Sequence, residues 1–525
     1  MKRPSNARIS QYIFLAIFII FFLMTEYRGS DRLGAAVNAF FRANPLTAAT
    51  TLLAVKSWIP LLLPGVLVIF FSAVLGRFFC GWICPLGTIL DLVTVKIKKS
   101  APIIWLKGGV KYWLLLPLLA ASLFKLNLAG LLDPIAILVR VLTFFAHPLL
   151  GETVRSGWVG LYSIMGERRD LLAPGYKLIR DYILPFRETL YPLAFLSLVI
   201  FLAIVWLERY ESRNWCRNLC PLGTMLGLLA RLSPFARIPA KLCNDCQKCR
   251  DLCPTSFSDE LLNKQECILC MECQLHCPSQ RVSFRPVGFR SNDGGPVMER
   301  RVFIGGMASG FFLSKLFRFR NPEAQAKLLR PPGVRKEEEF LSKCVRCGEC
   351  MKVCLKSALY PAFAQAGIEG VYTPILIARL GYCEYNCTLC GQVCPTGAIP
   401  DLAAERKKLE VIGKAVLDKN HCIPFAKRID CIVCEEHCPI PQKAIRAETQ
   451  TMKGFDGKAV QVRVPYVVEE ICNGCGICEY VCPLEGKAGI EVFGVKDKRP
   501  IEPTRQNPHQ PLPQKGLESD PYTSR

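Results

Sequence analysis

Four long apolar runs before residue 210 and a dense series of regularly spaced cysteines after residue 240 predict a chain in two halves. The first half reads as a polytopic α-helical membrane domain with four transmembrane helices. The second reads as α+β multi-cluster domains, poor in apolar core and stabilised by the metal centres they hold.

The totals agree with this division. A chain of 525 residues has room for three or four domains. Hydrophobic residues make up 51% of it and the mean hydropathy is +0.24, high for a soluble chain of this length. The formal net charge of +22 would suit a nucleic-acid partner, but no stretch interleaves basic and aromatic residues on one surface, so none is expected. Basic cytoplasmic loops account for the charge, together with metal-bound thiolates that the formal count treats as neutral.

The apolar runs cover about residues 9–24, 59–75, 112–132 and 190–207, and only the third contains a charge, Lys125. Each approaches the ~17–25 residues that span a bilayer as a helix. The first is too long for a signal-peptide core and reads as a retained span. Lys96, Lys98, Lys99, Lys107 and Lys111 lie between the second and third runs, against Asp91 alone. Arg209, Arg213, Arg217, Arg231, Arg237 and Lys241 follow the fourth. The positive-inside rule therefore places the N-terminus, the 77–111 loop and the segment after 208 in the cytoplasm. A further stretch, 135–150, carries Arg140 and His147 and is short. It reads as an interfacial or re-entrant helix on the outer side.

A repeat lies within this half. Cys80-Gly-Trp-Ile-Cys84-Pro-Leu-Gly-Thr returns as Cys216-Arg-Asn-Leu-Cys220-Pro-Leu-Gly-Thr, each copy following an apolar run on the cytoplasmic side. The repetition predicts a duplicated two-helix unit of parallel topology. Its four thiols would meet at a pseudo-twofold axis and bind metal or exchange electrons. A helix-ending Pro-Gly turn would explain the Pro and Gly of the repeat, but not both cysteines in both copies. Haem is not expected, because His147 is the only histidine before residue 276 and Cys-x-x-Cys-His is absent.

The other 24 of the 28 cysteines fall into six groups of four. Cys243, Cys246, Cys249 and Cys253 read C-x2-C-x2-C-x3-C-P, and so do Cys267, Cys270, Cys273 and Cys277. This is the bacterial two-cluster ferredoxin pattern, in which three close thiolates grip one cubane and the fourth ligates its neighbour. Cys277 is thus expected with Cys243, Cys246 and Cys249, and Cys253 with Cys267, Cys270 and Cys273. Tetrahedral zinc would require neither the third cysteine nor the trailing proline. The spacings also argue against a disulfide framework.

Four further groups follow: Cys344, Cys347, Cys350 and Cys354; Cys383, Cys387, Cys390 and Cys394; Cys422, Cys431, Cys434 and Cys438; and Cys472, Cys475, Cys478 and Cys482. The outer two are regular and the inner two widened. This predicts nested exchange of the fourth cysteines, first group with fourth and second with third. The expected organisation is a membrane domain over 1–238, a two-cluster ferredoxin-like domain over 239–290 and a linker over 291–330. A four-cluster ferredoxin-like domain over 331–495 and a disordered tail over 496–525 complete it.

Within the linker, Arg300-Arg301 precedes Val-Phe-Ile and a mild, Gly-containing apolar stretch. It reads as an internal twin-arginine export signal, suited to a domain that crosses with its clusters already inserted. Ala324-Gln325-Ala326 reads as a weak processing site.

Together these motifs resemble the quinol-dehydrogenase ferredoxins of periplasmic nitrate reductase systems. Residues 1–290 look like the NapH-type membrane subunit, with its spans, two C-x3-C-P motifs and two ferredoxin groups. Residues 299–495 look like the NapG/MauM-type periplasmic subunit, including Cys-Pro-Thr-Gly-Ala at 394–398. NosR-type proteins share the membrane half. The departure is that both parts sit on one polypeptide, which leaves a partnership with nitrate reductase open. The resemblance implies six [4Fe–4S] clusters in a bacterial inner-membrane protein. It further implies electrons drawn from the quinol pool and passed to a periplasmic reductase or cytochrome.

Quinol oxidation needs a proton acceptor. Asp133, in Leu-Leu-Asp-Pro at the outer end of the third run, is the first candidate, with Glu26 and His147 behind it. A helix-end Asp-Pro turn is the competing reading of Asp133. No nicotinamide site is expected, since Gly305-Gly-Met-Ala-Ser-Gly310 does not match the dinucleotide fingerprint. Two other functions fit the same motifs: a redox factor for metalloenzyme maturation or regulation, and a polyferredoxin relay without quinone chemistry. Six cubanes predict about 24 iron and 24 sulfide per chain. Iron near half that value with stoichiometric zinc would contradict the cluster assignment.

Overall fold

The computed structural model describes residues 6–34, 36–94, 109–165, 173–238, 252–255, 265–277, 282–286, 300–317 and 327–495. Cys243, Cys246 and Cys249, the basic residues Lys96 to Lys107, the 324–326 segment and the tail from 496 lie outside these residues.

Apolar sequence and proline-led starts set the helices of the first half. These are α1 (Asn6–Met24), α2 (Asn38–Arg42), α3 (Pro45–Val55), α4 (Leu63–Leu75), α5 (Phe78–Trp82), α6 (Pro85–Thr94), α7 (Val110–Leu123) and α8 (Ala129–Leu132). They continue as α9 (Pro134–Val141), α10 (His147–Met165), α11 (Ala173–Tyr182), α12 (Ala194–Leu207), α13 (Asn214–Asn218) and α14 (Pro221–Ala230). Further on come α15 (Glu272–Leu275) and α16 (Arg300–Leu316).

The cysteine-rich segments add short two-stranded antiparallel sheets. β1 (Phe235–Ile238) pairs with β2 (Ser283–Pro286) and brackets the first cysteine block. β3 (Leu359–Pro361) and β4 (Pro374–Leu376) form a hairpin between the first two groups of the second block. β5 (Lys414–Leu417) pairs with β8 (Ile490–Phe493) around the last two groups, and the long hairpin of β6 (Ile445–Lys453) and β7 (Ala459–Val467) stands between them.

The two cysteine blocks sit at opposite ends of the long helices. Near its start α1 meets the first block through Arg8 and Glu272 at 2.8 Å, and beyond its end Glu26 meets Lys352 of the second block at 2.8 Å. α7 begins at a Lys111–Glu266 ion pair, and past its end the Asn127 amide donates to the Ser342 carbonyl at 3.2 Å. α12 runs the other way. The Ser197 hydroxyl, in its first turn, meets the Tyr372 hydroxyl at 3.0 Å, and Glu208 after its last turn accepts from the Arg213 N–H at 2.6 Å, next to the repeat. α4 also runs from the second block, where Leu61 approaches Gly397, to the first, where Leu269 packs near Gly76. The four helices thus alternate in direction.

Two of the described helical segments are long and apolar enough to cross a bilayer: Asn6–Met24 and Pro134–Met165. Pro60–Leu75, Val110–Leu123 and Ala194–Leu207 are shorter. The third apolar run does not form one helix; it breaks at Phe124–Lys125, where Lys125 takes φ 64°, before α8. The stretch from 135 to 150, expected to be short, belongs instead to a continuous helix of 32 residues. Asp133 caps its start, a π turn at Leu142–Ala146 re-phases it, and it buries Arg140 and His147 against protein. Its polar residues after 150 had hidden the continuation.

α16 runs parallel to α7, with Gly305, Gly306 and Gly310 facing Trp113, Leu116 and Ala120. Small residues at this seam let the two backbones approach. A Cβ at Gly310 would lie 2.5 Å from Ala120 Cβ and 2.8 Å from the Pro117 carbonyl. Gly310→Leu should therefore cost about 1–3 kcal/mol through overpacking. It would be read as a lower thermal midpoint of the full-length protein in detergent. Gly160→Ala, whose Cβ would meet nothing within 4 Å, should leave the midpoint unchanged.

Candidate functional site

In the second block each cysteine group includes a helix of about one turn that carries its third cysteine, Cys350, Cys390, Cys434 or Cys478. None of the described cysteines forms a disulfide. In the second block a cavity is lined by Cys344, Cys347 and Cys350 together with Cys394. Cys354 lies within electrostatic reach of Cys387 and Cys390, which Cys383 joins. A second cavity is lined by Cys422, Cys431 and Cys434 together with Cys482. Cys438 acts on Cys475, beside Cys472 and Cys478.

The exchange is therefore sequential, first group with second and third with fourth. The nested arrangement expected from the spacings is incorrect. The β3–β4 hairpin folds the first group onto the second, and the β5–β8 pair closes the third onto the fourth. Widened spacing changes the shape of a loop without changing which turns its strands bring together. In the first block, Cys253 lies within reach of Cys270, along with Cys267 and Cys273.

The donor set suits clusters. Among the described residues no three His, Cys, Asp or Glu side chains converge on a single ion; the thiols surround a space instead. Three exchanged cysteines accept backbone N–H groups at sulfur: Cys354 from Ala358 at 3.2 Å, Cys394 from Ile399 at 3.3 Å and Cys482 from Gly489 at 3.4 Å. Such bonds favour thiolates and tune cluster potential. Burial pushes the Cys422 and Cys475 thiols up to about 12. Ligation to iron as thiolates displaces those protons, so assembly of these clusters releases protons.

Cys80, Cys84, Cys216 and Cys220 also come together, each pair acting electrostatically on the other. Cys80, Cys84 and Cys220 are buried. Gly81 packs so closely on the Ile268 carbonyl that no Cβ would fit, and the Trp82 indole N–H donates to the Leu269 carbonyl at 3.1 Å. Ile268 and Leu269 lie between Cys267 and Cys270, so the repeat abuts the first block directly. On the other side Gly130 of α8 packs equally tightly on the Val345 carbonyl, between Cys344 and Cys347.

Asp133 lies within electrostatic reach of Cys84 and Cys220. Its oxygens are engaged: Oδ1 accepts from Ile135 and Ala136 N–H at 3.0 and 2.9 Å, and Oδ2 accepts from the Asn44 amide at 2.5 Å. It is 1% exposed and serves as a helix cap. Glu26 pairs with Lys352, while His147 Nε2 lies 2.9 Å from the Ile183 carbonyl.

Arg77 and Asn44 escaped the sequence reading, and Arg213 entered it only as a loop charge. The signal for the arginines was present, because Arg stands three residues before the first cysteine in both copies of the repeat.

Comparison with known proteins finds iron–sulfur relatives. The 4Fe-4S binding domain matches residues 57–103, 193–239 and 390–412, and the 4Fe-4S dicluster domain matches 333–398. The methylamine utilization ferredoxin-type protein MauM of Methylorubrum extorquens is 38% identical over 174 residues, 33% of this chain and 74% of its own. The ferredoxin-type protein NapG of Escherichia coli (strain K12) is 38% identical over 162 residues, 30% of this chain and 68% of its own. YccM of the same organism is 29% identical over 212 residues, 39% of this chain and half of its own length. No solved structure matches.

Sequential exchange predicts which double variants share a cluster. Cys354→Ser with Cys390→Ser should cost about four irons, one cubane. Cys354→Ser with Cys478→Ser should cost about eight. Iron and sulfide analysis of anaerobically purified protein distinguishes them; nested exchange would reverse the two losses.

Proposed function

We propose a function from the premise that this chain belongs to the MauM/NapG ferredoxin-type proteins and is an iron–sulfur electron-transfer protein with multiple [4Fe–4S] clusters: it draws electrons from membrane quinol and delivers them to an acceptor outside the cytoplasm. A NapH-type membrane part and a NapG/MauM-type part are fused in it. The first cysteine block lies in the cytoplasm and the second outside, and a periplasmic reductase or cytochrome takes the electrons.

The observation that carries this reading is the position of the two blocks at opposite ends of α1, α4, α7 and α12, with the four-thiol repeat between them. The outward faces support a lipid environment. Ile13 and Ile20 of α1, Phe70 and Phe71 of α4, Phe195 and Leu202 of α12, and Phe312 of α16 are all exposed. The shorter helices complete a crossing through irregular backbone buried in protein, as membrane proteins tolerate. α16, parallel to α7, carries the chain outward after Arg300-Arg301.

Quinol oxidation yields two electrons and two protons, so a donor site needs a proton acceptor as well as a nearby cluster. Asp133 has both oxygens occupied, an observation that favours the second reading: a polyferredoxin relay without quinone chemistry.

In anaerobic membranes, added quinol should reduce the clusters. Clusters that dithionite reduces and quinol does not would leave the relay. Alkaline phosphatase fused near residue 495 should be active and fused near 290 inactive; the reverse would overturn the sidedness. Lys at both Arg300 and Arg301 should abolish export of the second block, and continued export would make α16 an ordinary crossing helix.

A further inference from the structure

Four helices begin at the repeat, and each begins with proline. Asn44-Pro45 starts α3, Cys84-Pro85 starts α6, Asp133-Pro134 starts α9 and Cys220-Pro221 starts α14. The first residue of each couple caps its helix or stands just before it. The Cys220 thiol accepts the Gly223 N–H at 3.4 Å. Asn44 and Asp133 touch, and Asp133 lies within reach of Cys84 and Cys220. The helix starts at Cys84 and Cys220 therefore carry thiols of the site, and the starts of α3 and α9 beside them are capped by Asn44 and Asp133, none of the four helices being shorter than eight residues.

Two buried guanidiniums complete this field. Arg213, just before the second copy of the repeat, donates to the Cys80 carbonyl of the first at 2.7 Å and forks onto Asp91 at 2.7 and 2.6 Å. Arg77, just before the first copy, donates to the Cys216 carbonyl of the second at 3.2 Å. The clasp is reciprocal across the pseudo-twofold axis, but its outer halves differ. Arg77 turns to the first ferredoxin block, donating to the Gln265 carbonyl at 2.7 Å and pairing with Glu266 at 3.1 Å, one residue before Cys267.

A dithiol–disulfide couple is neutral on both sides once its protons are counted, and gains nothing from such a field. A cluster on four thiolates is anionic and becomes more so on reduction, so fixed positive charge raises its potential. The two copies also match a domain described as binding 4Fe-4S. We infer that Cys80, Cys84, Cys216 and Cys220 hold one additional iron–sulfur cluster, and that Arg77 and Arg213 are positioning residues that set its potential. This deepens the electron-transfer reading and rests on it. One electron enters the site and one leaves, with no bond made or broken in the protein. Through Glu266, Arg77 also couples the site to the neighbouring cluster of the first block.

The test uses the full chain, purified anaerobically in detergent, with iron analysis and EPR redox titration. Cys84→Ser with Cys220→Ser should remove one EPR signal and the two to four irons of one cluster. Cys80→Ser is the milder companion and should alter that signal alone. Unchanged iron and spectra in both would overturn the assignment. Arg213→Gln should keep the iron and lower the midpoint of that signal, leaving the site about tenfold less reduced at fixed potential, ~59 mV for one electron. Arg213→Lys should restore most of the shift. Arg77→Gln should shift this signal and that of one first-block cluster. A midpoint unmoved by either glutamine variant would overturn the role of the arginines. If quinol fails to reduce the membranes while the extra signal persists, the quinol reading falls and this one stands.

Discussion

A cubane needs four thiolates, and a tight C-x2-C-x2-C turn presents only three. The fourth must come from another turn, and much of the cysteine-rich half follows from that constraint. Two turns that exchange a cysteine have to be brought face to face, which is the work of the short antiparallel pairs β1–β2, β3–β4 and β5–β8. These sheets are too small to stand alone in water. The thiols they gather act together with a substantial apolar core that the sequence reading did not expect, built from Phe340, Leu341, Met351, Leu389, Ile412 and Ile490.

The helical half obeys a related rule. Several of its buried polar groups are tied to partners: Arg213 to Asp91, Arg77 to Glu266, Asn44 to Asp133. These ties join the two copies of the repeat to each other and to the first ferredoxin block. Close backbone contacts at Gly81 and Gly130 place the repeat between the two blocks, one side against the Cys267–Cys270 turn and the other against the Cys344–Cys347 turn. A core of side chains continues from Phe144, Tyr191 and Leu193 of the helices into the second block around Tyr360 and Tyr372.

Much of this was legible in the residues. Hydrophobic runs located α1, α4, α7 and α12, and the spacing of cysteines located every described cluster turn. What the sequence concealed was three-dimensional. The exchange partners of Cys354 and Cys394 depend on which strands pair, and spacing alone does not report that. The long helix from Pro134 to Met165 was hidden because polar residues after 150 end the apolar run, and the burial of Arg140 and His147 became visible only with the fold. Asp133 attracted attention as an acid beside an apolar run, and its duties to Ile135, Ala136 and Asn44 became visible only with the fold. The arginine clasp was missed because the repeat was read from its first cysteine, three residues too late.

Lys352 links the two ends of the chain's history. Its ammonium donates to the carbonyls of Phe22 and Thr25 at 2.9 and 2.7 Å, groups that the end of α1 leaves unsatisfied, and pairs with Glu26. Those carbonyls are made early in synthesis and Lys352 more than three hundred residues later. Lys352 also stands between Cys350 and Cys354, inside a turn that takes shape around its metal. The last carbonyls of α1 are thus satisfied from the second block, so the helix nearest the chain's start is completed only when a turn more than three hundred residues away folds against it.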